Sequence, residues 1–392
     1  MKILHTVESY YPETGGMAEV VRQLSERLTR MGHQVTVATR KRKERISAML
    51  NGVLISEFNV DGNLVRGMSG ETEIYKNFIL NTDADVITNF AAQQWATDIA
   101  LPVLDKLKAK KVFVPTGFSE FYNPQYKSYF ENLKIWMKGY DANIFLSDDY
   151  RDINFARDNG ITHNILIPNG AAADEFLPLP AIDIRNKLGI DSGEFLIYHL
   201  GSYTGGKGHK EAVEIFLKSS LRNSVLLLIG FHNDHFQKEI RSDVKIKYWE
   251  LKNLGKNKRI IISSVFNRQE TVAAYQAADL FLFPSNIECS PIVLFECMAS
   301  KTPFLTTDVG NAKEIIKWSN GGMLLPTTFD DRGYSHAVIN KSVQLLNRLY
   351  LDNEKRRHLA ENGFNAWKNN FTWELIASQY DKLYNNLLKS TL

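Results

Sequence analysis

Twice along this 392-residue chain an apolar strand runs into a glycine-rich turn and then into a helix, and that order restricts the fold more than any other feature. The first instance is KILHTVE (2–8), a turn with Tyr11, Pro12, Gly15 and Gly16, and then Met17, Val20, Val21, Leu24, Leu28 and Met31 at helical spacing. Gly32 ends that helix and QVTVAT (34–39) supplies the next strand. A helix between two strands implies a parallel crossover rather than a hairpin, so the fold class is α/β. Residues 53–69 read as a hairpin or loop excursion, after which DVITNF (85–90), KVFVPT (111–116), NIFLS (143–147) and NILIP (164–168) continue the alternation.

The stretch PNGAAADEFLPLPAID (168–183) breaks the rhythm, and a second series follows. It comprises FLIYHLG (195–201), SVLLLIG (224–230), RIIISS (259–264), DLFLFPS (279–285) and TPFLTTD (302–308). Two Rossmann-like domains are expected, 1–170 and 184–370, facing each other across a cleft, with ligands at the carboxyl ends of their strands. The tail, 371–392, is a helix with Leu375, Ile376, Tyr380, Leu383, Tyr384 and Leu387 on one face, and it needs a surface to pack on.

Composition excludes several classes. The formal charge is 47 − 44 = +3, too slight a surplus for a nucleic-acid binder. No run approaches 18 apolar residues and the opening segment lacks the pattern of a secretory signal, so the expected location is the cytoplasm. Cys289 and Cys297 flank one short helix and read as reduced packing residues.

Chemistry concentrates in two motifs. In GSYTGGKG (201–208), Gly205, Gly206 and Gly208 let the backbone approach a phosphate, the following helix offers unpaired N–H groups, and Lys207 adds a positive charge. The motif is neither a P-loop nor a G-x-G-x-x-G fingerprint, and its plain alternative is a glycine turn with a surface lysine. In ECSPIVLFECMAS (288–300), Ser290 and Pro291 favour a helix start, which places Glu296 inside an apolar helix and Glu288 ahead of it. The two carboxylates bracket an anion site, where a nucleotide-diphosphate-sugar would give hydroxyls to each glutamate and a diphosphate to the helix end. The competing readings are a buried Glu296 paired with a lysine or arginine and a solvated Glu288.

Gly15-Gly16 after the first strand, Lys207-Gly208, and E-x7-E before an M-A-x-x-x-P segment (Met298, Ala299, Pro303) together resemble glycosyltransferase family 4, with the GT-B fold. I-P-N-G (167–170) and the aromatic-led final helix extend the resemblance over the whole chain. It implies a retaining, metal-independent transferase with an N-terminal acceptor domain onto which helix 371–392 packs back, and a C-terminal donor domain. Lys207 would then hold the donor diphosphate, Glu296 the ribose and Glu288 the transferred sugar. Gly201, Ser202 and the backbone of Ser290, Pro291, Ile292 and Val293 would complete the donor site, with Gly15 and Gly16 in the loop that lets donor and acceptor approach. Glu288 and Lys207 are the catalytic candidates.

Two departures stand out. The family arginine of G-R-L is Ser202 here, which removes half of the diphosphate clamp, and a family His-Gly pair is replaced by Thr116-Gly117. His5, His199 and His209 are not substituted for the missing histidine; such residues read as packing or polar-tip groups, with His5 near enough to the Gly15-Gly16 turn to face the cleft. The basic run Lys41, Arg42, Lys43 and Arg45 reads as a solvated loop or as a peripheral contact to an anionic inner-membrane surface. The aromatic stretch 118–140 reads as a packed helix face or an acceptor groove.

The expected activity is transfer of a hexosyl unit from a nucleotide-diphosphate-sugar to a glycan or lipid-linked saccharide, with no cofactor. A non-catalytic nucleotide-sugar binder and a nucleotide-sugar epimerase on the same fold are the alternatives.

Overall fold

The computed structural model describes residues 1–13, 15–230, 237–241, 257–263 and 266–389. The chain forms two compact units: Met1–Asn169 with Trp373–Leu392, and Gly170–Thr372.

In the first unit, β1 (Lys2–Thr6), β2 (Gln34–Arg40), β3 (Met49–Leu50), β4 (Val53–Phe58), β7 (Val86–Phe90), β8 (Lys110–Val114), β9 (Ala142–Phe145) and β10 (Asn164–Leu166) form one sheet. Its order is β10-β9-β8-β7-β1-β2-β4-β3. The central strands are buried along most of their length, which is why they read as apolar runs rather than as alternating patterns. The expected excursion at 53–69 is corrected in part. Val53–Phe58 pairs parallel with β2 and belongs to the main sheet, with Val53, Ile55 and Phe58 buried; only β5 (Val60–Asn63) and β6 (Gly67–Gly70) form a separate hairpin. Much of the aromatic stretch packs inward: Phe118, Tyr126, Tyr129 and Phe130 are buried against Phe113, Phe155 and their neighbours, while Tyr122 is exposed.

The helix Trp373–Lys389 belongs to this unit, and the expected helical residues 390–392 lie outside the described residues. Arg27 Nη2 meets Glu374 Oε1 at 2.7 Å, His33 Nε2 meets Asp381 Oδ1 at 2.8 Å, and the Tyr384 hydroxyl lies 2.7 Å from Thr88 Oγ1. Buried Trp373, Ile376, Tyr380 and Tyr384 supply the apolar face.

The second unit is a six-stranded sheet of β11 (Phe195–Leu200), β12 (Ser224–Ile229), β13 (Lys258–Ser263), β14 (Leu280–Phe283), β15 (Phe304–Thr306) and β16 (Gly322–Leu324). The order β13-β12-β11-β14-β15-β16 is parallel throughout. A side hairpin is made by β17 (Thr327–Phe329) and β18 (Ser335–Ala337). The predicted strand 259–264 holds to Ser263, and Ser264 lies outside the described residues. Sequence order reverses between β11 and β14, so the loops leaving these neighbouring strands diverge and open a crevice at their carboxyl ends. Those two loops carry GSYTGGKG and ECSPIV.

Candidate functional site in the second unit

Backbone geometry accounts for the glycines of the first loop. Gly208 has φ +74, and a Cβ there would fall 2.0 Å from the Pro284 carbonyl oxygen, so no other residue lets the two loops close. A Cβ on Gly201 would meet the Lys207 stem at 2.8 Å. The second loop is tied to the first by Asn286 N–H, which donates to the Gly206 carbonyl at 3.0 Å, and by Ser285 Oγ, which lies 3.2 Å from the same oxygen.

Lys207 and Glu288 meet in this crevice. Nζ donates to Glu288 Oε1 at 2.7 Å and to the Ile287 carbonyl at 3.4 Å. Ser285 Oγ lies 3.1 Å from the same carboxylate oxygen, so its one proton is shared between Glu288 and the Gly206 carbonyl. The Glu288 side chain is only 15% exposed, so the solvated reading fails for it. The donor candidates Gly201, Ser202, Lys207, Glu288, Ser290 and Pro291 are thus carried on the two loops of one switch point, with Ile292 and Val293 opening the helix that follows.

The helix itself begins one residue later than expected. Pro291 is its N-cap, with φ −68 and an extended ψ of 108, and the helix runs from Ile292 to Ala299 without a side-chain cap. The Ser290 cap and the Pro291 start are corrected, because a proline at that extended ψ lies outside the helical region. Leu294, Phe295, Cys297 and Met298 pack into the core, and the Cys297 thiol is pushed up by burial and then by Glu296.

Glu296 is 3% exposed, and Arg268 supplies its cation, Nη1 to Oε1 at 2.6 Å. The paired-glutamate reading therefore describes its protein contacts. Arg268 is not legible as a partner, since it lies 28 residues from Glu296 at a helix start whose capping box, Asn267 with Glu270, explains the local sequence.

His5, His199 and His209 are interior groups. His5 is fully buried, with Nδ1 2.8 Å from Ser25 Oγ, and burial lowers it to about 3; it does not face solvent beside the glycine turn. His199 donates from Nδ1 to the Leu282 carbonyl at 2.8 Å and is lowered to about 4 by burial. His209 packs edge-on against His199 and is held well below its ordinary value by burial and then by that neighbour.

Family models match both halves of the chain: "Glycosyltransferase Family 4" over 14–175 and "Glycosyl transferases group 1" over 181–366. This chain belongs to glycosyltransferase family 4. Among curated relatives, N-acetyl-alpha-D-glucosaminyl L-malate synthase of Bacillus anthracis is 26% identical over 53% of this chain and 49% of its own. Alpha-monoglucosyldiacylglycerol synthase of Streptococcus pneumoniae is 23% identical over 78% of this chain and 70% of its own. The chain spans about half the length of the first relatives it matches. Sucrose-phosphate synthase from Thermosynechococcus elongatus superposes with TM-score 0.79 at 20% identity over 99% of both chains. Anabaena HepE in complex with UDP-glucose superposes with TM-score 0.73 at 15% identity, over 98% of this chain and 100% of that one. The fold is that of the GT-B glycosyltransferases.

In the family 4 chain's first unit, Gly15 is the N-cap of the helix Gly16–Arg30, and a Cβ on Gly15 or Gly16 would meet nothing within 4 Å. That unit has its own switch point, between β1 and β7, where Glu8 N–H donates to Gln94 Oε1 at 3.0 Å. Beside it, Ala91 (φ 62), Gln93 (φ 65), Thr116 (φ 59) and Phe118 (φ 51) all occupy the left-handed region in the loops after β7 and β8. Four non-glycine residues so placed in adjacent loops mark stored strain. Gly117, between two of them, donates its N–H to buried Asp152 Oδ2 at 2.9 Å. The one cue in the sequence is the glycine at 117; left-handed alanine, glutamine, threonine and phenylalanine have no composition signal.

Half of the basic run is neutralised. Arg42 pairs with Glu13 and Arg45 with Glu57, which leaves Lys41 and Lys43 as its exposed cations. No helix among the described residues is long and apolar enough to cross a membrane.

Proposed function

We propose that this chain transfers a hexosyl unit from a nucleotide-diphosphate-sugar to a saccharide or lipid-linked saccharide acceptor, with retention at the anomeric carbon and without a metal ion. The observation that carries the reading is the pairing of Lys207 with Glu288 at the switch point of the second sheet, beside the start of the helix Ile292–Ala299. When the bond from the anomeric carbon to the diphosphate oxygen breaks, negative charge grows on the leaving diphosphate. Lys207 and the amide N–H groups of Ser290, Ile292 and Val293 are the groups that meet it, and fixed donors aimed at developing charge usually contribute most to catalysis of this kind. Glu288 then addresses the sugar hydroxyls and Glu296 the ribose, with Gly15 and Gly16 keeping the first loop open. The first unit, with its strained loops, takes the acceptor. Support comes from HepE, which holds UDP-glucose on the same fold, and from relatives named for glycosyl transfer.

The test is product analysis with a panel of nucleotide-sugars and saccharide acceptors, in buffer with and without a chelator, the anomeric configuration being read by NMR. Transfer with retention that persists in chelator is the expected result. A changed donor with no acceptor product would mark an epimerase, and binding without turnover a carrier. Chelator-sensitive transfer restored by magnesium or manganese would overturn the metal-independent part.

A further inference from the structure

A carboxylate at 3% exposure on an apolar helix is costly, and replacing a buried ion pair by apolar side chains is often neutral or stabilising. Stability does not explain Glu296, and its surroundings are more elaborate than a single pair. Arg268 Nη1 reaches Glu296 Oε1 at 2.6 Å, while Nε and Nη2 of the same guanidinium reach Glu175 Oε2 at 2.9 and 2.5 Å. The guanidinium also lies 5.5 Å from the centre of the Phe176 ring. Glu175 and Phe176 come from the short helix Ala173–Phe176, Arg268 from the helix Arg268–Ala277 and Glu296 from the helix Ile292–Ala299, so three separate elements converge on one planar cation.

Only arginine offers N–H groups in these directions from one plane; lysine is a point charge on a flexible stem. One guanidinium facing two carboxylates gives these three side chains a summed charge of −1. Arg268 Nη1 occupies one acceptor position on Glu296 Oε1.

We propose that Arg268 is a positioning residue for the donor: held by Glu175 and Phe176, it keeps Glu296 ionised and fixes the rotation of its carboxylate so that the oxygens accept the two ribose hydroxyls of a nucleoside diphosphate. This rests on the nucleotide-sugar reading of the site. Arg268 touches no reacting atom; it acts through Glu296, and Glu175 acts through Arg268. Its effect is confined to the ribose hydroxyls, which separates it from a residue that merely stabilises the unit.

The test is calorimetric binding of UDP, GDP and ADP, each beside its 2′,3′-dideoxy form, to the full chain and to Arg268→Met, Arg268→Lys and Glu175→Gln. For the diphosphate it binds best, the wild type is expected to prefer the ribose form by about tenfold or more, the scale of hydrogen bonds to a charged group. In Arg268→Met that preference should collapse below about threefold through loss of ribose-form affinity, with the dideoxy affinity held, and Arg268→Lys and Glu175→Gln should fall between. Should Arg268→Met fail to fold, as read by its thermal melt, the other two variants carry the comparison. Parallel weakening of ribose and dideoxy forms, or an unchanged preference, overturns the assignment. A wild type that binds a diphosphate without ribose preference overturns it while leaving the donor reading intact, whereas a wild type that binds none of the three diphosphates removes the donor reading and the assignment with it.

Discussion

Lys207 Nζ lies 2.7 Å from Glu288 Oε1, so the proposed diphosphate cation and the proposed sugar carboxylate are each other's partners. A diphosphate that comes to Lys207 competes with that carboxylate for the ammonium and is repelled by its charge. Glu288→Gln should therefore tighten a bare nucleoside diphosphate by about 1 kcal/mol, near the upper end measured for exposed pairs, while transfer falls. Lys207→Ala should weaken the same ligand about tenfold to a hundredfold, because hydrogen bonds to charged groups are worth about 1.5–3 kcal/mol. Calorimetry on both variants checks this, and weaker diphosphate binding by Glu288→Gln would show that the carboxylate supports the anion rather than opposing it.

Ser202 occupies the position where the family pattern places an arginine, and its carbonyl accepts from Thr204 N–H at 2.7 Å within the loop. A serine hydroxyl gives one neutral hydrogen bond to a phosphate, whereas an arginine gives charged contacts roughly twice as strong. Ser202→Arg should tighten nucleoside diphosphate by about 1–2 kcal/mol, and the gain should shrink with added salt. Titrations at two ionic strengths decide the matter: equal affinity for variant and wild type at both means position 202 does not reach the phosphates.

Asp98 and Asp152 are buried carboxyls of the first unit, each raised to about 6, by burial above all. Tyr129 and the Leu64 N–H donate to Asp98, and the Ile153 and Gly117 N–H groups donate to Asp152, but these bonds only partly offset the burial. A raised carboxyl pKa means the folded state holds the proton more tightly. The contribution is fully present below the ordinary value of 3.8 and is lost as pH rises through 6. The stability of wild type minus that of Asp98→Asn should be larger at pH 5 than at pH 8, by about 1 kcal/mol. The same comparison applies to Asp152→Asn. Urea denaturation at the two pH values measures it, and a difference that grows toward pH 8 would mean these carboxyls are stabilised as anions.

Strand positions are legible because strands buried on both faces in a parallel sheet leave continuous apolar runs, as SVLLLI at 224–229 does. The short β16 is not, since Gly322-Met323-Leu324 carries neither length nor β-branched residues. Lys207 and Glu288 can be picked from motif and spacing. Their contact spans 81 positions, however, and follows from strand order, which places β11 beside β14. Arg268 stays hidden for the same reason: Glu175 and Glu296 lie 93 and 28 positions away on either side and are joined to it only by packing. Left-handed Ala91, Gln93, Thr116 and Phe118 cannot be read at all, because tertiary structure imposes conformations that their own preferences oppose.

Thr116 is β-branched with φ +59, a backbone region that costs an L residue about 1–2 kcal/mol, and it is held there between the end of β8 and Gly117, whose N–H is fixed by Asp152. Thr116→Gly removes that cost but adds back about 0.5–1 kcal/mol of unfolded-chain entropy, so the variant should equal or exceed the wild type in stability by up to about 1.5 kcal/mol. If the strain serves the acceptor side of the reaction, the relaxed turn should lower transfer, while affinity for a nucleoside diphosphate, which depends on the second unit, stays at the wild-type value. Thermal melts, calorimetry with the diphosphate and steady-state kinetics with varied acceptor separate these effects. A variant less stable than wild type with unchanged acceptor kinetics would mean that the turn is satisfied as it stands and that its strain is incidental to transfer.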